Sequence, residues 1–344
     1  MPVPNLNSLA TLTVRNQYKE TVDSIYSEFA LLAKMKETNA LEFRDGGLTI
    51  DVPLRYLKDA TAQSFDGADQ VDISPVETIS NASYPWKNLH VPINLVDTDV
   101  AKNRGKAAIG NLIEHKRQGA IEEGQDKLTT VLMADGTGNS SKDPMGLKGL
   151  YPADPTTGTV GGINRATQSF WRSKANADLD SSINGAKTST TTFAWADVGK
   201  RFMRNQMNNC AKGGNTKKSR PNLIVMTQAL YEQIANTMDD KVRIPDKALM
   251  DLAIQSFMFE GVPCVWDAAL TTETINSVTG TSRMFFINTY ATKLVRMQGF
   301  DWKFKPFESP LDQYVSVASF HWMGNLVTKD SRRNGTITGF TTSL

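Results

Sequence analysis

The chain has 344 residues, 40% hydrophobic and 22% charged, with 38 basic against 36 acidic side chains and a net charge of +2. That is apolar material for about two domains with real cores, which excludes wholesale disorder. The charge balance argues against a dedicated nucleic-acid binder, whose affinity needs an excess of basic groups to release counterions from phosphate.

Cys210 and Cys264 are the two cysteines. They indicate no disulfide framework and fit a reducing compartment. Residues 1–5 (Met-Pro-Val-Pro-Asn) lack a basic region followed by an apolar run, so no secretory signal is expected. No stretch approaches the roughly 18 apolar residues of a membrane span. Without export, the glycosylation sequons at Asn81, Asn139 and Asn334 carry no meaning.

Pro2 and Pro4 make the first 15 residues irregular. Val22, Ile25, Tyr26, Phe29, Leu32 and Ala33 then form a helical stripe that ends before Thr38-Asn39. This helix packs either on its own domain or on a neighbouring subunit. After Gly46-Gly47, Leu48, Ile50, Val52 and Leu54 alternate with polar residues, predicting a strand with one apolar face. A return strand is expected through Trp86, Leu89, Val91, Ile93 and Leu95. The long polar excursion between them is of a kind that is functional or mobile. Pro53 and Pro92 place both strands at sheet edges. A two-stranded arm buries no core alone and is expected to lie on another copy.

A long helix is predicted from Thr98 to Ala134, capped by Asp97 or Thr98. Its apolar stripe is Ile109, Leu112, Ile113, Ala120, Ile121, Leu128, Val131 and Leu132. Gly110, Gly119 and Gly124 interrupt it, for close packing or for bending during assembly. Lys102, Arg104, Lys106, Lys116 and Arg117 precede Glu122, Glu123 and Asp126, an order that opposes the helix dipole and suggests intermolecular pairing. The helix stops at Asp135-Gly136-Thr137-Gly138, and Gly146-Leu147-Lys148-Gly149-Leu150 follows.

Residues 151–192 read as loop and short strand around Phe170-Trp171. A helix from about Thr192 to Asn208 turns Val198, Phe202, Met203 and Met207 inward. After the solvated turn at 212–218, Leu223–Met226 is a buried strand, Leu230–Met238 a helix, and Val262–Trp266 and Met284–Ile287 are further strands, together an α/β module. Trp302, Phe304 and Pro306 alternate with Lys303 and Lys305. Val315–Met323 is a buried strand, and a turn at Asn334-Gly335 leads to a last strand, Thr336–Phe340.

Chemistry is not advertised. His90, His115 and His321 occur without His-Glu-x-x-His or Cys-x-x-Cys, and His321 in an apolar strand reads as a core histidine. There is no nucleophile elbow, and Gly136 and Gly138 do not complete a phosphate loop. The adjacent pairs Glu122-Glu123 and Asp239-Asp240 read as solvated faces. No catalytic, cofactor or metal residue is assigned.

The order of elements resembles the major capsid proteins of tailed double-stranded DNA phages, the HK97-fold family. The resemblance rests on the arm, the hairpin excursion, the long helix ending in Asp135-Gly136-Thr137-Gly138 and Gly146-Leu147, and the strand Leu223–Met226 with its helix. It rests also on Gly261-Val262-Pro263-Cys264-Val265, Phe285–Asn288, Gln313-Tyr314-Val315 and Arg332-Arg333-Asn334-Gly335. It implies an α+β fold with an N-terminal arm (1–45), an E-loop (46–96), a peripheral domain with a spine helix (97–190), an axial domain (191–292) and closing peripheral strands (293–344). The implied function is a structural, non-enzymatic subunit. It self-assembles into hexamers and pentamers of an icosahedral virion capsid, built in the host cytoplasm and enclosing double-stranded DNA. An encapsulin-like nanocompartment shell is the alternative from the same fold, and a hydrolase with a mobile lid the alternative from another class. A separate scaffold protein, a portal and decoration proteins are the implied partners. Contact with packaged DNA would be non-specific, with Arg15, Lys34 and Lys36 as candidates. Lys58 lies in the region where some members cross-link, but nothing else here supports that reaction.

Overall fold

The computed structural model describes residues 29–56, 78–98, 106–179, 191–237, 256–310 and 314–341, without 212, 215, 217 and 276, and in addition 64, 66, 67, 69 and 70. Side chains of 106–111 and 197 lie outside this description, as do Arg15, Val22, Ile25, Tyr26, Lys58 and Asp239-Asp240.

Helix α1 (Ala30–Glu37) ends where expected: Asn39 takes a left-handed φ of 54°, and Ala40 N–H donates to the Met35 carbonyl at 2.7 Å. The chain then enters β1 (Leu41–Arg44). Strand β2 (Thr49–Arg55) buries Ile50, Val52 and Leu54 as the alternation requires, but Leu48 is 94% exposed.

The partner of β2 is not the expected one. It pairs antiparallel with β3 (Ile79–Pro85), in register Ile50 to Tyr84 and Val52 to Ala82. The expected return strand is β4 (Lys87–Val96), which belongs to another sheet. Alternation announces a strand with one apolar face and does not say which neighbour it meets. The β2–β3 ribbon also does not wait for another copy to cover it. Ile50, Val52, Leu54, Ala82 and Tyr84 are buried in this chain's own core, and the Tyr84 hydroxyl donates to the Thr328 carbonyl at 3.4 Å.

Helix α2 (Lys106–Met133) packs on β4. Its buried face, Ile113, Arg117, Ala120, Ile121, Gly124, Gln125, Leu128, Val131 and Leu132, advances three or four residues at a time. Arg117 is thus no intermolecular partner: it is buried and ion-paired with Glu114 at 2.5 Å. The glycines separate as well. A Cβ on Gly124 would stand 2.9 Å from Cζ3 and 3.0 Å from Cη2 of Trp302, whereas Gly119 faces open space. Gly124 therefore serves close packing. Gly119→Ala is expected to raise the stability of the chain by about 1 kcal/mol through helix propensity, and Gly124→Ala to lower it by about 1–3 kcal/mol through overpacking. Urea unfolding midpoints of the two variants check the opposite signs.

A five-stranded sheet runs β1, β13 (Thr292–Met297), β15 (Val315–Thr328), β14 (Lys303–Glu308), with β4 along the other edge of β15. Leu89, Val91, Ile93 and Leu95 alternate with exposed residues on β4. They share the main core with Ala318, Phe320 and Trp322 of β15 and with helix α2. Pro92 thus sits on an edge strand. On β14 the expected alternation breaks. Phe307, not Pro306, turns inward, because a bulge shifts the register between Lys305 and Glu308.

Between the sheets runs a loop with a small hairpin, β5 (Thr159–Val160) and β6 (Ile163–Asn164). Trp171, buried beneath it, donates to the Val160 carbonyl at 2.9 Å.

The seven-stranded sheet runs β7 (Phe193–Ala194), β16 (Gly335–Thr341), β12 (Val278–Ile287), β8 (Leu223–Met226), β10 (Val262–Trp266), β9 (Phe257–Phe259), with β11 (Glu273–Ile275) on β12. Strands β8 and β10 are parallel and buried on both faces, which explains their unbroken apolar runs. One face, with Leu223, Val225, Val265, Phe285 and Ile287, joins the main core. The other, with Ile224, Met226, Met284 and Phe286, packs on α3 (Trp195–Cys210) and α4 (Gln228–Thr237) through Val198, Phe202, Met203, Met207, Leu230 and Ile234. Strand β16, grouped by sequence with the 293–344 segment, is thus hydrogen-bonded into the sheet of the 191–292 segment. Cys210 and Cys264 are free and buried, and burial pushes both thiols up.

Candidate assembly surface

Among the described residues the exposed large apolar side chains are few and sit at particular places. Tyr314 (86% exposed) and Val96 adjoin at one end of the five-stranded sheet, where Val96 pairs with Val315 and Asp97 N–H donates to the Tyr314 carbonyl. Phe43, at the end of β1, lies under the Arg296 guanidinium at 4.1 Å, and Arg296 is held by Asp301 at 2.5 Å. Phe300 lies under the Lys303 ammonium at 4.7 Å. Leu48 and Ile79 project from the β2–β3 ribbon. Aromatic side chains and arginine are enriched at subunit contacts.

The far end of the ribbon is closed by Tyr56 N–H donating to the Thr78 carbonyl at 3.1 Å, and Tyr56 stacks on Phe170 at 4.7 Å. Most of residues 57–77 lie outside the described residues.

The outward face of the five-stranded sheet corrects the reading of His321. It is not a core histidine. It stands directly opposite His90 on one side and Lys303 on the other, with the two imidazoles 4.8 Å apart and Lys305 in the next row. Ser319 Oγ lies 2.9 Å from His321 Nε2. Desolvation first, then His90, Lys305 and Lys303, hold the His321 pKa below its ordinary value. The fold thus disfavours charged His321. Its stabilising contribution is complete above the unfolded histidine pKa of about 6.5 and is lost as the pH falls through the lower folded value. His321→Gln is expected to reduce the fall in unfolding midpoint between pH 7.5 and pH 5.5, as read by thermal melts at the two pH values.

The other residues singled out by sequence are scattered. His115, Glu122 and Glu123 are exposed along α2. Lys34 is 8% exposed and ion-paired with Glu37 at 2.8 Å, so it is no candidate for phosphate contact; Lys36 is exposed. Among the described residues no three His, Cys, Asp or Glu side chains converge as a metal ion would need. No helix among them is long and apolar enough to cross a membrane.

The turn after α2 is tightly built. Asn139, Ser140 and Ser141 all have left-handed φ values, 50°, 57° and 62°, and Gly136 has a φ of 81°. Gly146 and Gly149 press against the last carbonyls of α2 and the Asp135 carbonyl. Sequence reading found this turn by its glycines but had no signal for the cleft beside it. That cleft takes residues from β3, β4, β12 and β15 as well as from the turn and the following loop.

No family model matches the chain, and no curated protein matches it. Solved structures do. The capsid asymmetric unit of cyanophage A-1(L) superposes with a TM-score of 0.62 at 16% identity, covering 90% of this chain and 93% of that one. The capsid of a native GTA particle gives 0.53 at 9%, covering 89% and 90%. The holo-SrpI encapsulin complex from Synechococcus elongatus PCC 7942 gives 0.53 at 8%, covering 90% and 89%. The likeness spans nearly the whole of each chain, and it shows an α+β fold of the HK97 capsid type.

Proposed function

We propose that this chain is a structural shell subunit, a major capsid protein that assembles into hexamers and pentamers of an icosahedral phage capsid enclosing double-stranded DNA. The observation that carries this reading is the end-to-end likeness to the cyanophage A-1(L) capsid subunit. In it, the spine helix α2 and the five-stranded sheet form the peripheral domain, and residues 191–292 together with β16 form the axial domain. The subunit is non-enzymatic. Its partners are further copies, a separate scaffold protein, a portal and decoration proteins. It is built in the host cytoplasm and resides in the virion. Contact with DNA is diffuse and reads no bases, which suits a net charge of +2. The encapsulin likeness supports a second reading, a shell around protein cargo.

Electron microscopy of the purified chain tests the proposal: closed shells of capsid diameter are expected. Small cages holding protein would move the assignment to a nanocompartment, and an absence of particles would remove both.

The E-loop supplies a further test. Its base is fastened to its own subunit, and the segment between Tyr56 and Thr78 is assigned to a neighbour. Deleting residues 60–75 leaves five residues, 57–59 and 76–77, to join those two positions, which a hairpin can close. The deletion is expected to give a folded subunit, with an unfolding midpoint near that of the parent, that forms no shells. Shells of normal appearance would show that the loop is not an assembly element.

A further inference from the structure

On the face of the five-stranded sheet opposite α2, Lys303, Lys305 and His90 are exposed, and His321 is half-buried between Lys303 and His90. Alternation puts both lysines on this side of β14 and Phe304 on the core side. Two residues apart on one strand, the lysines leave the backbone about 7 Å from each other. Lys303 rests on the Phe300 ring at 4.7 Å. Among the described residues, the pair of Lys305 with Glu308 at 3.0 Å is the only ion pair made by any of the four.

The excursion between β2 and β3 carries the opposite sign. Residues 59–77 contain Asp59, Asp66, Asp69, Asp72 and Glu77 and no Lys, Arg or His. Within it, Asp66 to Asp69 is a tight turn. Asp69 N–H donates to the Asp66 carbonyl at 3.2 Å, Asp66 N–H donates to the Asp69 carboxylate at 3.0 Å, and Gly67 has a left-handed φ of 53°. Asp66 and Asp69 are both exposed, and among the described residues neither is ion-paired. The ends of such a turn lie within about 7 Å of each other, which matches the spacing of the two lysines.

We propose that this sheet face receives the Asp66–Asp69 turn of a second copy, one carboxylate on each lysine. The inference rests on the assembly reading above and names the surface at which the excursion docks. An ammonium has three N–H donors, so Lys305 serves Glu308 and an incoming carboxylate together. His90 and His321 flank the site with imidazole donors. Within its own chain the turn does not reach these lysines, so the contact is between copies. A nucleic-acid backbone is the poorer fit, because Lys303 is the one lysine here without a carboxylate, and phosphate binding gains with every cation it engages.

The test compares shell yield, by sedimentation and electron microscopy, for four full-length proteins: the unaltered chain, Asp66→Lys/Asp69→Lys, Lys303→Glu/Lys305→Glu, and the chain carrying all four changes. Each reversed pair sets like charges face to face and is expected to lower the yield about tenfold or more, with an unfolding midpoint near that of the parent. The combined variant restores the attraction with the signs exchanged and is expected to recover most of the yield. Should a reversed pair fail to fold, Asp66→Asn/Asp69→Asn and Lys303→Gln/Lys305→Gln replace it, and each should cut the yield. Parental yield from the lysine variant would leave this face to another occupant such as packaged DNA. That result, or a combined variant that folds and stays as poor as the single pairs, would overturn the proposal and leave the shell reading standing. No shells from the unaltered chain would overturn both.

Discussion

Gly146→Ala is expected to destabilise the chain by about 3 kcal/mol, the upper end of the range for overpacking. The backbone at this position is extended, with a φ of −113°, so conformational strain is not the cause. The cause is proximity. A Cβ here would meet the Ala134 carbonyl, stand 2.5 Å from the Val131 oxygen and 2.8 Å from the Leu132 oxygen. These are the last carbonyls of α2, and the chain must cross them closely for Lys148 N–H to donate to Ala134 at 3.1 Å, capping the helix. No flexible side chain is available to yield. Denaturant unfolding of the purified subunit checks the size of the loss. A change under 1 kcal/mol would mean that the turn slides along the helix end.

Asn334→Ala is expected to cost about as much, by a different route. Asn334 is fully buried, and its Oδ1 accepts from the Asn288 N–H at 2.7 Å and from the Thr292 hydroxyl at 3.2 Å. Its Nδ2 donates to the Asp330 carbonyl, and its own carbonyl accepts from Lys174 N–H at 3.0 Å. It therefore joins the connection between β12 and β13, the connection between β15 and β16, and the loop at 174. Truncation leaves the buried Asn288 N–H without its acceptor, at about 1–3 kcal/mol, and removes one donor from the Asp330 carbonyl. Asn334→Asp keeps the acceptor but loses the donor and adds a buried charge, so it should be no milder. Circular dichroism melts of both variants measure this. Parental stability in Asn334→Ala would show that water replaces the side chain without loss.

Elements whose burial follows a period were legible in sequence: α2, α3, and the apolar runs of β8, β10 and β12. Strand β3 was not, because Ser80, Asn81 and Ser83 leave only Ala82 and Tyr84 to mark its inward face, and it exists through pairing with β2. Asn334 looked like a turn residue beside a glycine. In fact Gly335 is required because a Cβ would stand 2.5 Å from Gln206 Nε2 and 2.8 Å from Cys210 Sγ, while Asn334 is a buried bonding centre. His321 sat in an apolar run, yet strand alternation puts it on the opposite face from Phe320 and Trp322. The cleft beside the glycine turn had no local signal at all, since Arg165 and Arg283 are brought to one space only by the assembled fold.

Strand β16 lies between β7 and β12 in the seven-stranded sheet, and β7 touches no other strand of that sheet. During synthesis on a ribosome, residues 335–341 emerge after every other strand of either sheet. The sheet that carries α3 and α4 therefore keeps an open seam beside β12 until those residues have emerged. Both it and β1, which waits for β13, depend on contacts very distant in sequence, which form slowly and leave strand edges exposed meanwhile.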